Sequence, residues 1–313
     1  MMHTAATVTH ELMRRGELWQ PAPGLTAFRG SAAGLRDAVA AALRELCSAD
    51  GGEEWHVPPA LPFGTLARAE YFSSFPQWLT AAAHVGDAAE LEGIAEARDP
   101  ETRALDALRP APIALQPAVC YHVYAALSGR VLSGTECISV GGTCWRYESG
   151  RFEPLERGWS FTMQEAVRAG VGSDIQEFRV AYMAAARQFA ERLGLRARIA
   201  AASDPFFAAG ARGRALMQRL GSLKHELLLP LGDGRTIAAA SFNDHAQFFG
   251  DAFDIRLADG SAASTGCAAF GVERWVLAVL VEHGPDACDW PLAVAAPRAR
   301  IPAPADGRCA CPA

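Results

Sequence analysis

The sequence predicts an α+β fold in which an antiparallel β-sheet is flanked by helices. Two observations carry this. After Pro110, segments rich in β-formers come in pairs joined by short turns, and long amphipathic segments follow the pairs instead of alternating with single strands. The length of 313 residues, half of them hydrophobic and a fifth charged, is ample for a substantial core.

In residues 1–110, Leu35, Val39, Ala42, Leu43 and Leu46 recur at three- and four-residue spacing and predict an amphipathic helix over 34–46. Three prolines around 58–62 mark a loop, with helical segments after it broken near Pro76 and Pro100, so this part is expected to be mainly helical. Residues 117–127, 136–148 and 159–167 read as strands, the last two forming an antiparallel pair across a turn. A long helix is predicted over 174–195, with Phe178, Val180, Ala181, Ala184, Ala185 and Phe189 on its apolar side. A short strand at 196–201, a helix at 205–220 and a strand pair at 223–231 and 236–242 follow, and Gly271 opens a last helix to about Glu282. Residues 1–290 are taken as one domain; residues 291–313, rich in Pro, Ala and Arg, are expected to form a disordered tail.

Composition narrows the function classes. A net charge of −6, from 29 basic and 35 acidic residues, offers no footprint for a polyanion. The N-terminus lacks the apolar run of a secretory signal, and no stretch is long enough to span a membrane, so a cytoplasmic, membrane-free protein is expected. In such a reducing compartment the eight scattered cysteines are thiols or metal ligands. They form no CxxC pair, so a metal site has to be assembled from distant positions. Neither common phosphate loop, Walker A nor GxGxxG, is present.

Chemistry concentrates in two stretches. In Cys144-Trp145-Arg146-Tyr147-Glu148, extended backbone puts Arg146 and Glu148 on one face; in the return strand Phe161, Met163 and Glu165 share a face. Together with Arg157 between them, these supply a guanidinium for a phosphate oxygen, an aromatic face for a base and carboxylates for donors. The second stretch is Thr265 to Arg274. Small residues lead into a helix, and Arg274 lies in its first turn, where a cation opposes the helix dipole and needs an anion to justify it.

Taken in order, the two stretches resemble motifs 2 and 3 of the class II aminoacyl-tRNA synthetases. Arg146, Glu148, Arg157 and Phe161 match the first, and Glu273-Arg274 the second. Cys120, Glu165 and Cys267 further resemble the zinc site of the atypical seryl-tRNA synthetases and of their tRNA-independent relatives, the amino acid–carrier-protein ligases; the contexts Pro117 to Tyr124 and Met163 to Glu165 fit the ligases best. Two thiolates and a carboxylate leave zinc an open fourth position, as a catalytic site requires.

The resemblance implies a class II synthetase-type sheet and a homodimer. It implies ATP-dependent activation of a small amino acid, glycine or alanine, to aminoacyl-AMP, then transfer to the phosphopantetheine thiol of an acyl carrier protein. Zn2+ at Cys120, Glu165 and Cys267 would take the substrate amino group, and Mg2+ would accompany ATP. Arg146 would hold the α-phosphate, Phe161 would stack on adenine, Arg274 would lie on adenine's other face or at the γ-phosphate, Arg157 would reach the terminal phosphates, and Glu148 would orient the nucleotide. Magnesium ligands stay open among Ser241, Asn243 and Asp244. His122, on the same expected strand face as Cys120, and His245 are assigned structural roles. The acidic charge and the lack of a long coiled-coil tRNA-binding module favour a carrier protein over tRNA as acceptor. A tRNA ligase and a non-catalytic paralogue remain the alternatives.

Overall fold

The hairpin expected around the turn at 149–157 forms the centre of the molecule. In the computed structural model, which describes residues 3–148, 151–202 and 223–291, β8 (Glu136–Trp145) and β9 (Ser160–Gly170) pair antiparallel over ten rungs. The remaining strands are β1 (Leu18–Ala22), β2 (Leu25–Phe28), β3 (Glu53–His56), β4 (Ala60–Pro62), β5 (Ala81–Val85), β6 (Leu108–Leu115), β7 (Val131–Leu132), β10 (Arg198–Ala201), β11 (Lys224–Pro230), β12 (Thr236–Asp244), β13 (Arg256–Leu257) and β14 (Ser264–Gly271). The main sheet runs β10-β11-β12-β14-β9-β8-β3, antiparallel throughout except for the edge pair β3–β8.

The helices are α1 (Ala5–Arg14), α2 (Gly30–Ser48), α3 (Phe63–Arg68), α4 (Tyr71–Ser74), α5 (Ala88–Ala95), α6 (Pro100–Asp106), α7 (Cys120–Ala126), α8 (Gly172–Arg192), α9 (Phe248–Ala252) and α10 (Val272–His283). They divide between the faces of the sheet because strand side chains alternate. On β14, Ala268 and Phe270 join the core formed with α2, α8 and α10, where Phe178, Phe189 and Trp275 are buried. Cys267 and Ala269 point the other way, into a second core under α7 and α9 that includes Tyr121, Tyr124 and Phe249. This is the α+β architecture that the paired strands predict. Among the described residues no helix is long and apolar enough to cross a membrane.

Of the residues expected on the apolar side of the helix over 174–195 only Phe178 and Phe189 are buried; Val180, Ala181 and Ala184 are exposed, because the helix turns Ile175, Phe178, Tyr182, Ala186 and Phe189 to the sheet. Two further expectations fail locally. Residues 117–127 are rich in β-formers, yet Cys120–Ala126 is helical. Cys120, Tyr121, Val123, Tyr124 and Leu127 are all buried, a helical spacing, and enclosing that apolar face outweighs intrinsic strand propensity. His122 therefore does not share a face with Cys120: it is only partly buried, its Nε2 has no partner among the described residues, and burial pushes its pKa down. Residues 1–110, read as mainly helical, also contribute the β1–β2 hairpin, the parallel edge strand β3 and the three-stranded sheet β4-β6-β5, which uses the proline-interrupted stretch Ala60–Pro62 as an edge strand. Prolines are tolerated there because an edge strand has N–H groups with no ladder partner to lose. The helix expected at 205–220 and residues 292–313 of the expected tail lie outside the described residues.

Candidate active site

The sheet register brings together residues that are far apart in sequence. Glu165 on β9 lies between Val140 of β8 and Ala269 of β14. Cys267 is two residues from Ala269, so it shares a face with Glu165 on the neighbouring strand. Cys120 opens α7 above that face. The Sγ atoms of Cys120 and Cys267 and a carboxylate oxygen of Glu165 all lie within 4.8 Å of one another. The residues are 6%, 4% and 1% exposed.

This cluster is electrostatically unsatisfied. Burial, and then Cys267, pushes the Glu165 carboxyl up to about 8, and Glu165 Oε2 has no hydrogen-bond partner among the described residues. A hydrogen bond to Cys267 and burial raise the Cys120 thiol, whereas the Cys120 hydrogen bond, with His245 and Asn243 behind it, holds Cys267 well below the usual thiol range. Donors converge on the Cys267 sulfur: Asn243 Nδ2 donates to its Sγ at 3.4 Å, and His245 Nε2 lies at 3.9 Å. A buried carboxylate oxygen without a partner beside two close thiols is costly unless a cation occupies the space. Donor type, number and spacing suit one zinc-sized ion with a position left open.

The cluster lines a cavity of about 590 Å³ that also holds the other predicted residues: Arg146, Glu148, Arg157, Phe161 and Arg274. Arg146 lies just past the end of β8. Its backbone N–H donates to Trp159 O at 2.9 Å, continuing the ladder by one step. Its Nε donates to Pro117 O at 2.8 Å, and its guanidinium lies 5.1 Å from the Trp78 ring centre and 5.3 Å from that of Phe161. This arginine, aimed by one carbonyl and two aromatic faces, leaves donors for an anion. Arg274 is fixed from below, Nε to Glu156 O at 3.0 Å and Nη1 to Ala238 O at 2.8 Å. These carbonyls offset the dipole it opposes and keep part of the fork in the cavity.

Arg157 and Glu148 pair with each other, Nε to Oε2 at 3.3 Å, across the loop. Arg157 is held toward the cavity by its backbone bridge to Glu153 and by Leu155, whose φ of 61° is a left-handed conformation costing a leucine about 1–2 kcal/mol.

Two features were not visible in the sequence. Trp78, at the end of a short 3-10 turn (Pro76–Trp78), covers Arg146. Asn243, weighed only as a magnesium ligand, spends its amide on Cys267 and Ser241. Neither carries a periodic or motif signal; the strand pairing Asn243↔Cys267 alone places the second. His245 has the structural contacts expected of it, Nδ1 lying 3.4 Å from Tyr124 Oη and 3.3 Å from Thr265 Oγ1, but it also abuts Cys267.

No protein-family model matches the chain. Among curated proteins, two amino acid–acyl-carrier-protein ligases of Bradyrhizobium diazoefficiens are similar to it. One is 36% identical over 248 residues, 78% of this chain and 76% of the relative; the other is 37% identical over 252 residues, 77% and 73%. The chain belongs to the amino acid–acyl-carrier-protein ligase family. A type-2 serine–tRNA ligase of Methanopyrus kandleri is 30% identical to this ligase over 199 residues, 59% of this chain and 37% of that one. The seryl-tRNA synthetase of M. kandleri, solved with a tRNASec of A. aeolicus, matches the ligase fold with a TM-score of 0.83 at 25% identity. That match covers 94% of this chain, which spans 60% of the synthetase chain. A Giardia lamblia prolyl-tRNA synthetase, at TM-score 0.69 and 15% identity over 94% of this chain and 56% of its own, shares the fold.

Proposed function

We propose that this ligase activates a small amino acid, glycine or alanine, with ATP and passes it to the phosphopantetheine thiol of an acyl carrier protein. The observation that carries the reading is one cavity holding both a buried Cys120–Glu165–Cys267 cluster and three arginines, Arg146, Arg157 and Arg274. The first suits an amino acid head group, the second a nucleotide triphosphate.

In the first step a carboxylate oxygen of the amino acid attacks the α-phosphorus, and pyrophosphate leaves. Arg146 holds the α-phosphate and neutralises charge as it builds, acting from a position already set by Pro117, Trp78 and Phe161. Phe161 stacks on adenine. Arg274 lies against the base or the γ-phosphate, and Arg157 leaves its pairing with Glu148 to reach the terminal phosphates, freeing Glu148 to orient the nucleotide. In the second step the pantetheine sulfur attacks the acyl carbonyl, AMP leaves, and a thioester forms. Catalysis comes from positioning and fixed charge.

Cys120, Glu165 and Cys267 would hold Zn2+, and Asn243 would orient the Cys267 thiolate toward it. Bound there, zinc supplies a Lewis acid for the substrate α-amino group. Mg2+ accompanies ATP. Tyr71, Tyr121 and Phe249, in edge contact beside Cys120, wall the cavity and support a small substrate side chain. The acidic charge supports a carrier protein over tRNA, and class II architecture supports a homodimer; the expected setting is cytoplasmic, with residues 1–290 acting as one catalytic domain.

The test is amino-acid-dependent ATP–pyrophosphate exchange across the small amino acids, then offering pantetheinylated carrier protein or tRNA as acceptor. Exchange with glycine or alanine and acyl transfer to the carrier thiol are expected. Lack of exchange with every amino acid overturns the reading, and transfer only to tRNA replaces it with the synthetase reading.

A further inference from the structure

Behind Phe161 lies a polar linkage to which neither motif assigns a role. β9 pairs with β14 only as far as Met163↔Gly271, where β14 gives way to α10. One step beyond, the Thr162 backbone N–H donates to Glu273 Oε2 at 2.8 Å, so a side chain continues the ladder where the strand stops. Arg36, from α2, completes the linkage. Its Nη2 donates to Thr162 Oγ1 at 2.8 Å, and its Nε lies 3.7 Å from Glu273 Oε1. The same guanidinium is 5.8 Å from the Phe28 ring centre on the β1–β2 hairpin.

The residues next to this linkage are the ones that face ATP. Thr162 follows Phe161, and Glu273 precedes Arg274. Strand alternation turns Phe161 into the large cavity while Thr162 turns toward α2. A second hollow of about 530 Å³ shares Phe161 and Glu273 with the large cavity and is lined by Phe28, Arg36 and Thr162. Phe161 therefore borders both hollows, its ring packed against the second core and Arg146 on the cavity side while the backbone of its neighbour Thr162 is held from the other. A half-buried ion pair gives a fold little stability for its own sake, because desolvation offsets the attraction. It does fix geometry, since a guanidinium bonded to a hydroxyl and facing a carboxylate has few alternative positions.

We propose that Arg36 and Glu273 are positioning residues that lock the Thr162 segment of β9 to the start of α10, setting the Phe161 ring and the Arg274 guanidinium at the spacing that receives an adenine nucleotide. The inference rests on the reading that this cavity binds ATP. It adds that α2, remote in sequence from both motifs, controls nucleotide affinity.

The experiment uses the full-length, metal-loaded protein and the variants Arg36→Gln, Thr162→Val and the double variant. Thr162→Val keeps the side-chain shape and leaves the Thr162 N–H to Glu273 intact, so it probes the hydroxyl link while sparing the fold. ATP binding is read by calorimetry, and KM for ATP, KM for the amino acid and kcat by pyrophosphate exchange. Each single change is expected to weaken ATP binding and raise its KM about tenfold, the loss of one charge-assisted bond. KM for the amino acid and the metal content stay within about twofold, because the metal cluster is untouched. The double variant is no worse than Arg36→Gln by more than about twofold, since both changes break one link. Unchanged ATP affinity in active single variants overturns the proposal alone, as does an equal rise in both KM values, which marks a general loss of structure. A wild-type protein that binds no ATP overturns the proposal together with the functional reading on which it rests.

Discussion

Replacing Glu165 with glutamine separates what the carboxylate offers a metal from what it costs the fold. Glu165 is 1% exposed, one of its oxygens has no partner among the described residues, and burial is the first reason its pKa stands at about 8 instead of 4.5. In metal-stripped protein the unfolded chain releases this proton above about pH 4.5, while the folded chain keeps it until about pH 8. Between those values the unfolded state binds fewer protons, so stability falls as pH rises, and the contribution present below pH 4.5 is lost through pH 8. Each pH unit in that window is worth up to about 1.4 kcal/mol, so the wild type should lose on the order of 3 kcal/mol between pH 5 and pH 8 that Glu165→Gln keeps. Denaturant unfolding of both chelator-treated chains at pH 5, 6, 7 and 8 measures the difference; titrations remote from the cluster cancel, and those of Cys120 and Cys267, which face Glu165, are read together with it. Metal analysis of the untreated proteins gives the converse: glutamine does not ionise, and bound zinc should fall to a small fraction of the wild-type content. Parallel pH profiles, or full zinc in the variant, would refute the reasoning.

Cys267→Ala removes the sulfur on which Asn243, His245 and Cys120 converge, and should abolish stoichiometric zinc with pyrophosphate exchange; equal zinc in variant and wild type would exclude Cys267 as a ligand. Arg274→Lys keeps the charge but not the fork that bonds Glu156 O and Ala238 O, and should lower kcat/KM for exchange about 10²–10³-fold while the far-UV spectrum is unchanged. Arg157→Ala, at a half-exposed pair with Glu148, should change unfolding free energy by less than about 1 kcal/mol yet raise KM for ATP, a split that steady-state kinetics and denaturant melts resolve. Gly266→Ala places a Cβ at 2.7 Å from Ile175 Cγ2 and 2.9 Å from Asn243 O, backbone that cannot move aside, and should destabilise the fold by about 1–3 kcal/mol in denaturant melts.

β9 was legible because alternation put Phe161, Met163 and Glu165 on one face; the small residues at 265–271 announced the apolar repeat of α10 but carried no strand signal, so β14 and the pairing that seats Cys267 came only from the structure. The eight candidate residues were chosen by motif resemblance, and all eight line one cavity. The helix at Cys120 was not legible. Its β-forming composition and its helical burial spacing conflict, and the α7 face is decided by a core built from Phe249, Tyr71 and β14. The same holds for Trp78 over Arg146, Asn243 against Cys267, and Arg36 behind Phe161, contacts between residues 24 to 237 positions apart whose partners are chosen by sheet register and helix packing. The amino-acid sequence alone determined the α+β class, the family resemblance and the donor atoms available for chemistry, since these are written in periodicity and residue type. Tertiary structure decided which donors meet, which carboxylate oxygen is left without a partner, and which arginines are held in place, because distances and desolvation exist only once the strands have paired.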